Sequence, residues 1–169
     1  DGEYMGIDTM SDIGFGLERI RWCVSGKSYF DLYDSSLLSF PIKAYLSAIA
    51  LLTVNDVNPS NKNSGYRTRL FSKKVVNILE AKEFSKLEED YLVQCIRYWK
   101  DWQEINKNID IETIKKEYIR NCNRYIIDKL TEAGYKNLSG ININISRDEM
   151  KKRLMASNVE KKMIKKLIR

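Results

Sequence analysis

Histidine is absent from all 169 residues, and with it go the side chain that most often moves protons near neutral pH and the commonest metal ligand. A Ser-His-Asp triad, a histidine-based zinc site and any histidine acid/base step within this chain are excluded. Chemistry falls instead to carboxylates, lysines, arginines or another part of the molecule. Cysteine is scarce: Cys23, Cys95 and Cys122 lie far apart, an odd number without paired spacing. They are expected to be reduced, buried thiols and not a disulfide framework. Long apolar runs are also missing. No stretch approaches the roughly 20 residues that span a bilayer, and no charged-then-apolar leader precedes a small-residue cleavage site. The protein is therefore expected to be soluble and cytoplasmic, with no membrane partner. It begins at Asp1, not at a methionine, so it is expected to be a piece of something longer.

What is present is enough for one core, or for one core plus the remnant of a second domain: 43% of the residues are hydrophobic. Lysine and arginine total 29 against 23 acidic residues, and the resulting +6 favours a polyanionic partner without requiring one.

Apolar residues recur mostly at helical spacing, and the expected fold class is mainly α. A short helix is expected over 17–25, closed by Gly26 at its C′ position. Pro41 opens a second at N1, and its segment KAYLSAIALLT is apolar almost all round, as a central helix would be. A third runs from Gly65 to about Glu80. Ser85 with Glu88 forms a capping-box pattern before a helix whose Leu87, Tyr91, Cys95, Tyr98, Trp99 and Trp102 share a face. Asp110 caps a long helix carrying Ile111, Ile114, Tyr118, Cys122, Tyr125, Ile126 and Leu130 on one stripe, stopped by Gly134. These last two are expected to pair antiparallel, with their tyrosines and tryptophans in the core. The alternating GININIS at 140–146 reads as a short strand or an extended linker. Two compact helices follow, with capping boxes Ser146/Glu149 and Ser157/Glu160, and the basic KKMIKKLIR ends the chain as a solvated helix face.

Two stretches carry chemistry. In DIGFGLER, Asp12 to Arg19, Gly14 and Gly16 permit close backbone approach, and Arg19 offers a fork of donors suited to phosphate oxygens. In NPSNKNSGYRTRLFSKK, Asn58 to Lys74, a proline-asparagine turn leads into a basic segment. Asn61 has both a donor and an acceptor, as reading a base edge requires. Together the two resemble alanyl-tRNA synthetases: DIGFGLER is similar to their motif 3, DTGxGLER, and the second matches their PSN-x-x-x-GY-x-x-R segment in the right order and separation. DGEY at 1–4, with Trp22, Gly26 and Tyr33-Asp34, looks like the archaeal type.

The resemblance implies that residues 1–26 end a class II catalytic domain, its last strand and motif 3 helix, and that 27–169 form the helical tRNA-recognition domain. It gives Arg19 the ATP phosphates and a catalytic role. It assigns Gly14 and Gly16 to the adenine and aminoacyl-adenylate pocket, and Asp12 to the substrate amino group. Asn61 would read the acceptor-stem wobble pair, while Arg69, Lys73 and Lys74 would hold phosphates. Implied partners are tRNA, alanine and ATP with magnesium, the last bound mainly by an upstream part; DNA is not among them. Motifs 1 and 2 and the editing domain lie outside this sequence, so the chain alone is not expected to activate an amino acid. It departs from the family at Ala44-Tyr45 and Ser47, where Asp-His and an arginine are usual, at Ser64 for an arginine, and at Ala156 for the aspartate of an LYDxxG element. Two functions follow: part of an alanine-tRNA ligase, or a degenerate paralogue that binds tRNA without aminoacylating it.

Overall fold

A computed structural model describes Cys23, Val24 and residues 38–168. The chain divides into two compact units, Asp1–Ser36 and Leu37–Arg169. In the first, Cys23 and Val24 are helical and both are exposed, so Cys23 is not the buried thiol that cysteine spacing suggests. The rest of the helix expected over 17–25, with its Gly26 stop, lies outside the described residues.

The second unit is mainly helical, with no strand among the described residues. Its helices are α1 (Phe40–Val54), α2 (Asn63–Ile78), α3 (Lys86–Trp102), α4 (Glu112–Glu132), α5 (Arg147–Ala156) and α6 (Lys161–Leu167). Pro41 occupies the second helical position of α1 and not the first. It is tolerated because first-turn N–H groups have no intrahelical acceptor to lose. Helix α2 begins two residues before Gly65. The start of α3 is held by Glu88, whose carboxylate accepts the Ser85 N–H at 2.9 Å and also the Ser85 hydroxyl. The N-cap of α4 is Ile111 and not Asp110, which stands one residue earlier and accepts the Glu112 N–H at 2.9 Å and the Thr113 hydroxyl at 3.0 Å. Helix α4 stops as expected: Gly134 takes φ 89°, its N–H bonds the Thr131 carbonyl, and the Tyr135 N–H bonds the Leu130 carbonyl.

Being apolar on most sides, α1 packs against both α2 and α3, and α2 carries α4 on its other side. Helix α5 touches α4 and α6. The expected pairing of α3 with α4 is thus not a principal contact, because α1 offers α3 the larger apolar surface. The N-terminal turns of those two helices are tied by a 2.7 Å ion pair between Lys115 and Glu89.

The stripe on α4 is buried as its spacing predicts, with Ile111 and Tyr125 partly buried beside it. That on α3 is rotated. Leu92, Cys95 and Ile96 are buried with Tyr91 and Trp99 against them, whereas Leu87, Tyr98 and Trp102 are exposed, Trp102 at 71%. Residues 92, 95, 96 and 99 form one helical arc, and the bulk of the outlying aromatics had masked it.

The GININIS segment is neither a strand nor fully extended but a linker of bends, in which half-buried Ile141, Ile143 and Ile145 alternate with exposed Asn142 and Asn144. Ser146 caps α5, its hydroxyl accepting the Glu149 N–H at 3.3 Å. Ser157 caps nothing downstream. Its hydroxyl turns back to the Arg153 carbonyl at 3.0 Å and closes α5, so the second capping box does not form and α6 starts after Glu160. The basic tail is more than a solvated face, since Ile164 and Ile168 are buried and Met163 and Leu167 pack on the core.

Burial disfavours ionisation of the core thiols and of one phenol. It raises Cys95, pushes Cys122 from 9.0 to about 11, and raises Tyr118. The unfolded chain loses these protons at lower pH than the folded one. Their protonated forms therefore favour folding below about pH 9, and that stability is lost as pH rises toward the folded values. The thermal midpoint is expected to fall between pH 9 and 11, and less steeply in Cys122→Ala.

A Cβ on Gly65 would lie 2.3 Å from Ser60 Oγ and 2.4 Å from the Asn58 carbonyl oxygen. Alanine in a helix interior is ordinarily about 1 kcal/mol better than glycine. Here the sign reverses: Gly65→Ala is expected to cost about 1–3 kcal/mol in urea denaturation. Gly140→Ala, which meets nothing within 4 Å, is the neutral control.

Candidate nucleic-acid interface

The turn at 57–62 lies on the first two turns of α2 because Gly65 has no side chain to hold it off. The Ser60 N–H bonds the Gly65 carbonyl at 3.1 Å, and the Thr68 hydroxyl reaches the Val57 carbonyl at 3.3 Å. Ser60 also closes on Lys62, donating to its carbonyl at 2.8 Å. Neither Ser60 nor Asn61 occupies the N-cap of α2, which is Lys62. Asn61 is exposed, and its side-chain oxygen accepts from Arg69 Nη1, two turns into the helix.

Arg69 in turn faces α4. Its Nε lies 3.1 Å from Glu117 Oε1, close enough for an ion pair though not aligned as a hydrogen bond. Glu117 is buried, with a side chain 8% exposed, and it also takes Arg120 Nη1 at 3.2 Å and Asn121 Nδ2 at 3.3 Å. Asn121 continues to Ser72 Oγ at 3.1 Å. Helices α2 and α4 therefore meet through small or polar residues, Gly65, Thr68 and Ser72 on one side and Glu117 and Asn121 on the other.

Along this seam Arg69, Lys73 and Asn77 recur every four residues on α2, opposite Arg120, Arg124 and Asp128 on α4. Lys73 and Arg124 share a small depression with Asn121. At the other end a groove of about 660 Å³ opens between Pro59, Arg69, Lys116, Arg120 and the linker at 143–146. The two hollows hold five cations, Arg69, Lys73, Lys116, Arg120 and Arg124, against two carboxylates, Glu117 and Asp128. One of those carboxylates is already shared by two guanidiniums. Such an excess over the two hollows suits a phosphate backbone.

Of the residues the sequence singles out, the structure brings Asn61 and Arg69 together and sets Lys73 one turn on. Lys74 is exposed beside them but lines neither hollow. Asp12, Gly14, Gly16 and Arg19 lie outside the described residues. Sequence reasoning missed Lys116, Glu117, Arg120 and Arg124, and also Asn123, which is 1% exposed and donates from Nδ2 to the carbonyls of Ile143 and Ile145 at 3.0 and 2.8 Å. That pair of bonds fixes the linker as a wall of the groove. The signal was available: Glu117 and Asn123 are polar residues inside an apolar stripe.

Among the described residues no group of three His, Cys, Asp or Glu side chains could hold a metal ion, and no helix is long and apolar enough to cross a membrane. No model of a known protein family matches the chain, and neither the curated proteins nor the solved structures contain a significant match.

Removing the shared carboxylate leaves two guanidiniums facing each other. Both are about a fifth exposed and so partly screened. Glu117→Gln is expected to cost about 1–3 kcal/mol in urea denaturation, and Arg120→Gln clearly less, because Glu117 then keeps Arg69. Equal losses would mean that the carboxylate does not join the two helices.

Proposed function

We propose that the helical unit binds the acceptor stem of a tRNA along the α2–α4 seam, as the tRNA-recognition part of an alanyl-tRNA synthetase-like protein. The observation that carries this reading is the Asn61–Arg69 pair at the head of a cationic seam. The two residues that match the family segment are hydrogen-bonded to each other, and cations continue from them along two helices. The chemistry suits the task. A carbonyl oxygen has two lone pairs, so Asn61 can accept from Arg69 and still meet a base amino group, while its NH₂ donates. Arg69, Lys73 and their α4 neighbours hold phosphates and set register, which positions the RNA without specifying it. In this reading Asp12, Gly14, Gly16 and Arg19 serve ATP and aminoacyl-adenylate, together with an upstream part that supplies the remaining ATP and magnesium contacts.

A second reading, a tRNA binder that does not aminoacylate, is favoured by what stands at the departing positions. Tyr45 stacks on Phe71 at 5.8 Å between ring centroids, and the Ser47 hydroxyl accepts Trp99 Nε1 at 3.4 Å. Both are engaged in packing. Ala156 presents a methyl where the family's aspartate assists in reading the wobble pair.

The test is binding to an alanine-tRNA acceptor-stem hairpin and to the same hairpin with its wobble pair converted to Watson–Crick, across a salt series. Lys73→Gln is expected to weaken both and to flatten the salt slope by about one phosphate contact. Asn61→Ala is expected to erase a preference for the wobble hairpin of roughly fivefold, about 1 kcal/mol. Equal affinity of the wild-type chain for both RNAs would favour the second reading, and no binding at low salt would end both.

A further inference from the structure

The groove at the head of the seam is more than a widening of it. Its walls come from three separate parts of the chain: Arg69 of α2 with Pro59 from the preceding turn, Lys116 and Arg120 of α4, and the linker carrying Ile143 and Ile145. The linker wall is fixed from behind by the buried amide of Asn123, and Asn144 closes a local turn by donating its N–H to Asn142 Oδ1 at 2.8 Å. At about 660 Å³ the space lies within the roughly 300–1,000 Å³ of small-molecule sites. Its lining combines guanidinium and ammonium groups with isoleucines and a proline.

The single carboxylate in the groove, Glu117, is already taken by Arg69 and Arg120. A guanidinium has five N–H donors. Arg120 spends Nη1 on Glu117, Arg69 spends Nη1 on Asn61, and Arg69 Nε is buried in its ion pair with Glu117, so neither guanidinium has spent all five donors. Donors therefore remain for an anion from outside, and Lys116 adds an exposed cation at the rim.

We infer that this groove takes one unpaired nucleotide of the bound RNA, its phosphate on Arg69, Arg120 and Lys116 and its base against Ile119, Ile143 and Pro59. A base held in a duplex cannot enter a concave site, whereas an unstacked one exposes both faces. Arg69 in the groove stands one helical turn from Lys73, so a strand whose phosphates follow Lys73 and Arg124 would bring its next nucleotide to the groove. This rests on the RNA-binding reading and adds to it a preference for an unpaired residue adjoining a stem.

The experiment compares a blunt RNA hairpin with the same hairpin carrying one unpaired 3′ nucleotide, by fluorescence anisotropy with the 169-residue chain at low salt. The overhang is expected to tighten binding roughly fivefold or more. Ile143→Trp, which fills the groove, is expected to bring the overhang hairpin down to the affinity of the blunt one. Ile119→Glu, at a position 40% exposed on the α4 wall, tests the base contact from the other side should the first variant not fold. Adenosine 5′-monophosphate is expected to compete with the overhang hairpin better than inorganic phosphate, because the ring contributes. Equal affinity for the two hairpins, a preference that survives both substitutions in folded protein, or equal competition by phosphate and nucleotide overturns the nucleotide site while leaving RNA binding intact. Failure to bind either hairpin overturns the RNA-binding reading, and the nucleotide site with it.

Discussion

The carboxylate of Glu117 is the constraint on which the rest of the α2–α4 arrangement turns. A buried carboxylate is costly unless it is paired and hydrogen-bonded. It reaches that state by drawing Arg69 from one helix and Arg120 from its own, with Asn121 completing the set. The same pairing fixes where the two guanidiniums point. Arg69 is then within reach of Asn61, and the proline-containing turn is registered against α2 at both ends, by Gly65 at its base and by Arg69 at its tip.

The two faces of α2 show how one helix serves core and surface. Val75 and Val76 are fully buried, while Gly65, Thr68 and Ser72 let neighbours approach closely and supply hydroxyls. Its other face keeps Lys73 and Lys74 in solvent. Helix α1 needs no such division because it is covered by α2 and α3, and it supplies much of the core: Ile42, Leu46, Ile49, Ala50 and Val54. A rigid apolar centre thus presents a polar, cationic seam at one flank, where a phosphate backbone can be met without disturbing the core.

Legibility in the sequence followed the range of the interaction. Local signals read well: the Ser85/Glu88 box, the Gly134 stop and the stripe from Ile114 to Leu130 all rest on contacts within a turn or two. Ser157 misled because a hydroxyl can close the helix behind it as easily as cap the one ahead, and here it bonds Arg153. The face of α3 misled because Tyr98 and Trp102 are large and were counted as core, although amphipathic aromatics are stable at a surface. Helix pairing was not legible at all, since it depends on which apolar faces compete for α1. In the site, Asn61 and Arg69 were readable from a single turn-and-basic segment. Arg120, Lys116 and Asn123 were not, because the first two depend on α4 lying against residues about 50 positions or more earlier in the chain, and Asn123 on a linker 20 and 22 positions later.

The central claim is that RNA is held along the α2–α4 seam, and the surface it contacts can be mapped without mutation. Hydrogen–deuterium exchange of the chain with and without an acceptor-stem hairpin reads that surface directly. Protection is expected at 57–74 and at 112–128, together with the linker at 142–146, and not at the exposed face of α3. Protection confined to the α3 surface around Tyr98 and Trp102, with the seam unchanged, would contradict the account.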